Sequence, residues 1–143
     1  MEKINKKTIF YYVAILIVLM FGFYFRLQTF LQIRPMWLDE CFLFFNAFER
    51  NYTEFFSELY FAQSAPPIFL IVEKFFIALF GIKETSARFL PYLCSIISLP
   101  VFFLFSKMYL KKKTSIIVAN ILFAINIHLI FYAQELKQYS CDV

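Results

Sequence analysis

Charge is scarce in this sequence, at 17% of residues, while 62% are hydrophobic and 22% aromatic, with only two glycines. A soluble domain of 143 residues could not bury that much apolar surface, so the composition excludes an ordinary globular protein and specifies a membrane one. Cysteine is also sparse. Cys41, Cys94 and Cys141 are odd in number and lack metal-ligand spacing, so they suggest neither a disulfide framework nor a zinc site and read as small hydrophobes. Nothing in the pattern calls for a nucleic-acid partner.

Long uncharged runs are what the chain does have. After a polar start carrying Lys3, Lys6 and Lys7, residues 8–26 form a first span: an 18-residue apolar run ending at Arg26, which is expected to snorkel to the interface. The run is longer than a signal-peptide apolar region and has no small-x-small cleavage site, so it reads as an uncleaved anchor. A second span is expected over 89–106, with Pro91 and Pro100 tolerated inside a membrane helix, and a third over 114–132. Asn120, Asn126 and His128 are the strongly polar groups of the third span, and such groups generally hydrogen-bond a neighbouring helix.

Between the first two spans lies a loop, 27–88, rich in aromatics. Asn51 stands three residues before Glu54 in a capping-box arrangement, and Phe55, Phe56, Leu59 and Tyr60 would share one face of an interfacial helix. Residues 66–82 are apolar but interrupted by Glu73 and Lys74, which would be costly at the bilayer centre. Pro66-Pro67 can open a helix there and Gly81 can close it.

Charge sets the expected topology. Lys3, Lys6 and Lys7 and the cluster Lys107, Lys111, Lys112 and Lys113 both ask for the cytoplasmic side, so an even number of spans separates them and 66–82 lies in the interface. Over 27–87, seven acids against four bases fit an external location, as does the tail 133–143. The fold class expected is thus an all-α integral membrane module of three transmembrane helices with amphipathic interfacial helices in a long first external loop.

Chemistry is expected at Arg34-Pro35-Met36-Trp37-Leu38-Asp39-Glu40, where two adjacent carboxylates follow the first span. Held at the lip of a helix bundle, they suit a general base or a divalent cation, the one cofactor this residue set suggests. Arg34, Arg88 and Lys137 are the bases able to hold a phosphate nearby. A solvated loop would present the same Asp-Glu pair.

The order of Leu38-Asp39-Glu40, Ala65-Pro66-Pro67-Ile68-Phe69, Phe80-Gly81 with Glu84, Ala87-Arg88-Phe89-Leu90-Pro91 and Tyr132-Ala133-Gln134-Glu135-Leu136-Lys137-Gln138-Tyr139 resembles the N-terminal part of GT-C membrane glycosyltransferases. The resemblance is to the family 39 type, which includes protein O-mannosyltransferases and bacterial aminoarabinose transferases of lipid A, and it covers nearly the whole chain. It implies transfer of a sugar from a polyprenyl-phosphate donor to a protein, glycan or lipid acceptor, on the outer face of a bacterial plasma membrane. By motif, Asp39 takes the role of catalytic base, with Glu40 as companion or loop orienter. Glu135 or Asp142 would stand beside the donor phosphate with Lys137 and Tyr139. Arg88 would contact phosphate or pair with Glu84 at i, i+4.

Lys137 stands where similar bacterial sequences commonly have Arg. Family members run to several hundred residues, so the chain is expected to be the front of such an enzyme and inactive alone. The alternative is a small non-catalytic membrane protein that assembles with other chains; transport is a weaker third reading.

Overall fold

The computed structural model describes residues 6–32 and 34–141. Among these the chain is helical throughout, with no strand: α1 (Lys6–Leu31), α2 (Leu38–Glu49), α3 (Pro67–Phe80), α4 (Glu84–Ala87), α5 (Phe89–Tyr109), α6 (Lys113–Ala124) and α7 (Ile127–Tyr132), with 3-10 turns at Tyr52–Phe56, Tyr60–Ala62 and Gln138–Ser140. Two helices, α1 and α5, are long and apolar enough to cross a membrane, with mean hydropathies of 2.2 and 2.0 over their best windows. Their outward faces, including Phe10, Leu16, Met20, Val101 and Leu104, are exposed and apolar.

The expected first span continues past Arg26 to Leu31, and this changes the arginine's fate. Arg26 sits inside the helix rather than at its end, and it does not snorkel: it is fully buried between α1, α5 and α6. Its Nε donates to Ser95 Oγ at 2.8 Å, and its Nη1 donates to the carbonyls of Gly22 and Ala124, each at 3.1 Å. The Ala124 carbonyl is available because α6 ends there, leaving the oxygens of its last turn without intrahelical partners. Gly22 lets the helices approach: a Cβ there would meet Leu99 Cδ2 at 2.8 Å.

Over 114–132 two helices stand in place of one continuous helix. The break falls at Ile125–Asn126, where the Asn126 side chain accepts from the backbone N–H groups of His128 and Leu129 and so starts α7. Asn120 meets the expectation of an interhelical bond, donating to Ser106 Oγ of α5 at 2.8 Å. Asn126 and His128 do not: the first caps its own helix, and the His128 side chain is exposed.

The remaining elements form a cap on one end of these helices. Leu43 and Ala47 of α2, Phe55, Phe69, Leu70 and Ile77 of α3, Ala87 and Leu136 make its core. Helix α3 starts at Pro66-Pro67 and ends at Gly81, whose φ of +87° suits glycine. Lys74 donates to the carbonyl of Phe48 at 2.8 Å near the end of α2, while Glu73 turns inward and is fully buried.

The segment after α2 departs from the amphipathic helix expected over residues 52–60. Glu54 does accept from the Asn51 N–H at 2.7 Å, yet the turn it caps ends at Phe56. Arg50 braces the segment beyond it: its guanidinium donates to the carbonyls of Glu54 and Glu58, at 2.8 and 2.6 Å, while the Glu54 carbonyl also accepts from the Ser57 N–H at 3.2 Å. Phe55 is buried and Leu59 partly buried against the cap core, while Phe56 and Tyr60 are exposed, so the four residues do not form the single face expected. Residues 133–141 likewise do not hang free as a tail, because Leu136 is fully buried in the cap core.

Candidate functional site

Burying Leu136 brings residues 131–139 against the segment that follows α1. The connection 34–37 and the start of α2 meet residues 131–139, and between them lies a cavity of about 390 Å³. Arg34, Trp37, Asp39, Phe131, Tyr132, Glu135, Lys137 and Tyr139 line it, so five of the eight residues singled out in the sequence converge on one space. Asp142 lies outside the described residues.

Adjacent in sequence, Asp39 and Glu40 point in different directions, because successive positions on a helix lie about 100° apart. The side chain of Asp39 is 51% exposed at the cavity wall. Glu40 is completely buried beneath it. Its Oε1 accepts from Arg88 Nε at 3.1 Å and from the Leu136 backbone N–H at 2.8 Å, and its Oε2 accepts from Arg88 Nη2 at 2.9 Å and, more weakly, from the Trp37 N–H at 3.4 Å. With every bond directed into the protein, Glu40 has no lone pair turned to a ligand. Glu40, expected as a companion to Asp39 or as a loop orienter, is thus a buried partner of Arg88 and Leu136 that does not line the cavity.

The expectation for Arg88 is corrected. Arg88 is 4% exposed, and the third contact of its guanidinium is the Arg34 carbonyl at 2.7 Å. It pairs with Glu40, 48 residues away, rather than with Glu84 one turn earlier, and it does not line the cavity that would hold phosphate. Its fork fits both carboxylate oxygens at once, a geometry lysine does not reproduce. The Arg88–Glu40–Leu136 connection is thus the strut that holds α2, the end of α4 and the returning chain in register.

The cavity itself carries two cations and two carboxylates. Arg34 Nη2 donates to Glu135 Oε1 at 2.9 Å, and its guanidinium lies over the Phe131 ring at 4.6 Å. Glu135 is nearly buried, so this pair is a fixed part of the wall. Lys137 Nζ stands 3.6 Å from Asp39 Oδ2, beyond ordinary hydrogen-bond length, and 3.3 Å from Gln63 Oε1. A partly exposed pair at that distance holds weakly, about 0.2–1 kcal/mol, so an entering anion can take Lys137 from Asp39. Tyr139 packs its ring edge-on against Tyr132 and leaves the rest exposed to the cavity.

Three wall residues, Trp37, Phe131 and Tyr132, escaped the reading of the sequence as cavity residues. Phe131 and Tyr132 looked like the end of a span, and their role follows from the break at Asn126 that redirects α7. Among the described residues no three His, Cys, Asp or Glu side chains are grouped to hold a metal ion.

Elsewhere in the cap, Glu73 is the one acid among the described residues with a clear shift. Burial pushes its carboxyl well above the usual glutamate value of 4.5, and neither oxygen has a hydrogen-bond partner among the described residues. It lies in α3 away from the cavity lining.

Comparison with known proteins leaves the geometry to speak for itself: no protein-family model matches the chain, and neither a curated protein nor a solved structure matches it.

Proposed function

We propose that the chain is an integral membrane protein of the GT-C glycosyltransferase type, with its N-terminus cytoplasmic and the cavity at the outer face. In this reading the cavity receives the phosphate end of a polyprenyl-linked sugar, and Asp39 is the general base. The observation that carries it is the half-exposed Asp39 carboxylate on the same cavity wall as Lys137 and Arg34. A base and two cations within one space are what displacement of a sugar from a phosphate needs.

The step runs as follows. The acceptor hydroxyl oxygen forms a bond to the anomeric carbon, and the bond from that carbon to the phosphate oxygen breaks with inversion. The hydroxyl proton passes to Asp39, and the leaving polyprenyl phosphate keeps the electron pair, its charge met by Lys137. Arg34, tied to Glu135, orients rather than yields. The apolar outer faces of α1 and α5 support a location in lipid, where the polyprenyl tail also lies.

Membranes carrying the protein, supplied with a radiolabelled polyprenyl-phosphate sugar, test this. Asp39→Asn is expected to lower transfer by about 10²–10⁴-fold, the usual contribution of a positioned base. Lys137→Ala is expected to raise the donor KM. Wild-type transfer by Asp39→Asn removes Asp39 from the role, and a stable native species of about 17 kDa that tolerates changes at Asp39 and Glu40 favours a non-catalytic membrane subunit.

A further inference from the structure

Cys94 lies in the second turn of α5, and Cys141 follows the turn Gln138–Ser140. Their sulfurs stand 3.0 Å apart, only about 1 Å more than a disulfide bond. The surrounding structure fixes this approach from both sides. The turn packs on α5, and Ser140 is buried against it. Ser95 and Ser98 of α5 enclose, with Tyr139 and Ser140, a space of only about 20 Å³. The Cys141 N–H donates to the Gln138 carbonyl at 2.8 Å, which sets the direction in which the chain leaves the turn. Cys41, the third cysteine, is on α2, with its sulfur 3.7 Å from the Met36 carbonyl.

We propose that Cys94 and Cys141 are a redox pair, and that oxidation by a small or protein disulfide joins them and fastens residues 137–141 to α5. The consequence is local to the cavity, since Lys137 and Tyr139 lie in or beside the fastened segment and line its wall. The cross-link does not depend on what the cavity binds.

Thiol–disulfide exchange supplies the balance. The exposed Cys141 thiolate attacks one sulfur of the oxidant, a mixed disulfide forms, and one oxidant thiolate leaves. The Cys94 thiolate then attacks the Cys141 sulfur and expels the second oxidant thiolate. Two protein thiols are oxidised, one oxidant disulfide is reduced to two thiols, and the two protons pass to the departing thiolates.

The experiment uses the full chain in detergent-solubilised membranes treated with oxidised glutathione, then denatured, alkylated with N-ethylmaleimide and digested with trypsin. The expected product is the peptide Phe89–Lys107 joined to the peptide that begins at Gln138, lighter than the two thiol peptides by two hydrogens and separated by reduction. Cys41 should be recovered alkylated. In the native protein, oxidation should slow tryptic cleavage after Lys137 by about tenfold, because the segment must open locally to be cut. Cys94→Ser and Cys141→Ser should each abolish the linked peptide and the protection. Recovery of Cys94 and Cys141 as alkylated thiols, a lasting glutathione adduct on Cys141, or linkage to Cys41 overturns the proposal. A linked pair with unchanged cleavage after Lys137 overturns the fastening of the cavity wall.

Discussion

Replacing Arg88 by alanine should be far more damaging than removing a surface arginine. Three hydrogen bonds disappear, to Glu40 Oε1 (3.1 Å), Glu40 Oε2 (2.9 Å) and the Arg34 carbonyl (2.7 Å). Exposure decides the magnitude: an exposed ion pair contributes about 0.2–1 kcal/mol, whereas stripping one partner from a buried pair costs about 3–5 kcal/mol. Glu40 is 0% and Arg88 4% exposed, which puts this pair in the second class. The carboxylate left behind keeps only the N–H groups of Leu136 and, weakly, Trp37. The expected loss is thus about 3–5 kcal/mol, a large part of a typical domain stability of about 5–15 kcal/mol. Reversible SDS titration of the protein in mixed micelles measures it. Arg88→Lys should recover part of the loss, because the ammonium restores the charge without the planar fork. The double variant Glu40→Leu with Arg88→Met should be less damaged than the two single changes summed, since it leaves no unpaired buried charge. Arg88→Ala within about 0.5 kcal/mol of wild type would refute the assignment of this pair as the strut of the cap.

Two further expectations concern Glu73 and the topology. The raised Glu73 pKa means that the folded state binds this proton more tightly than the unfolded chain does. Its neutral form is accommodated in full below the ordinary value of 4.5, and stability falls as pH rises from there toward the raised folded value. Glu73→Gln should remove that decline, so thermal denaturation of the two proteins across pH should diverge as pH increases; parallel curves would contradict the buried, unpartnered carboxyl. For the topology, single cysteines placed at Glu58 and Lys112 in a chain cleared of its native cysteines should differ in reaction with an impermeant maleimide. Position 58 should label from outside the cell and 112 should not, and labelling of both from one side would refute an even number of crossings between Lys7 and Lys107.

Much of the helical organisation is legible because its signals are local. Apolar runs located α1 and α5, Pro66-Pro67 and Gly81 bounded α3, and the Asn51–Glu54 box marked a turn start. Where the local reading failed, a distant side chain had intervened. Arg50, donating to the Glu54 and Glu58 carbonyls, holds the chain beyond Phe56 in a path that is not the expected helix. Arg26 looked like the polar end of a span, and it became a buried link because Ser95 and the end of α6 offered it partners. The break at Asn126 had a signal, an Asn able to cap, but an apolar run on both sides outweighed it.

The sequence by itself determined that this chain is helical and apolar, where its longest helices lie, and that Asp39, Glu135, Lys137 and Tyr139 were worth watching. The helices follow from composition, periodicity and turn chemistry, which act over a few residues; Asp39 and Lys137 stood out as charges at the expected outer face, and Glu135 and Tyr139 through the family resemblance. Only the tertiary structure decided that Asp39 faces a cavity while Glu40 is consumed by Arg88, and that Arg34 and Glu135, 101 positions apart, form one wall. A carboxylate takes whichever cation and N–H groups the fold carries to it, and a linear pattern contains no distance between residues 34–40 and 131–139.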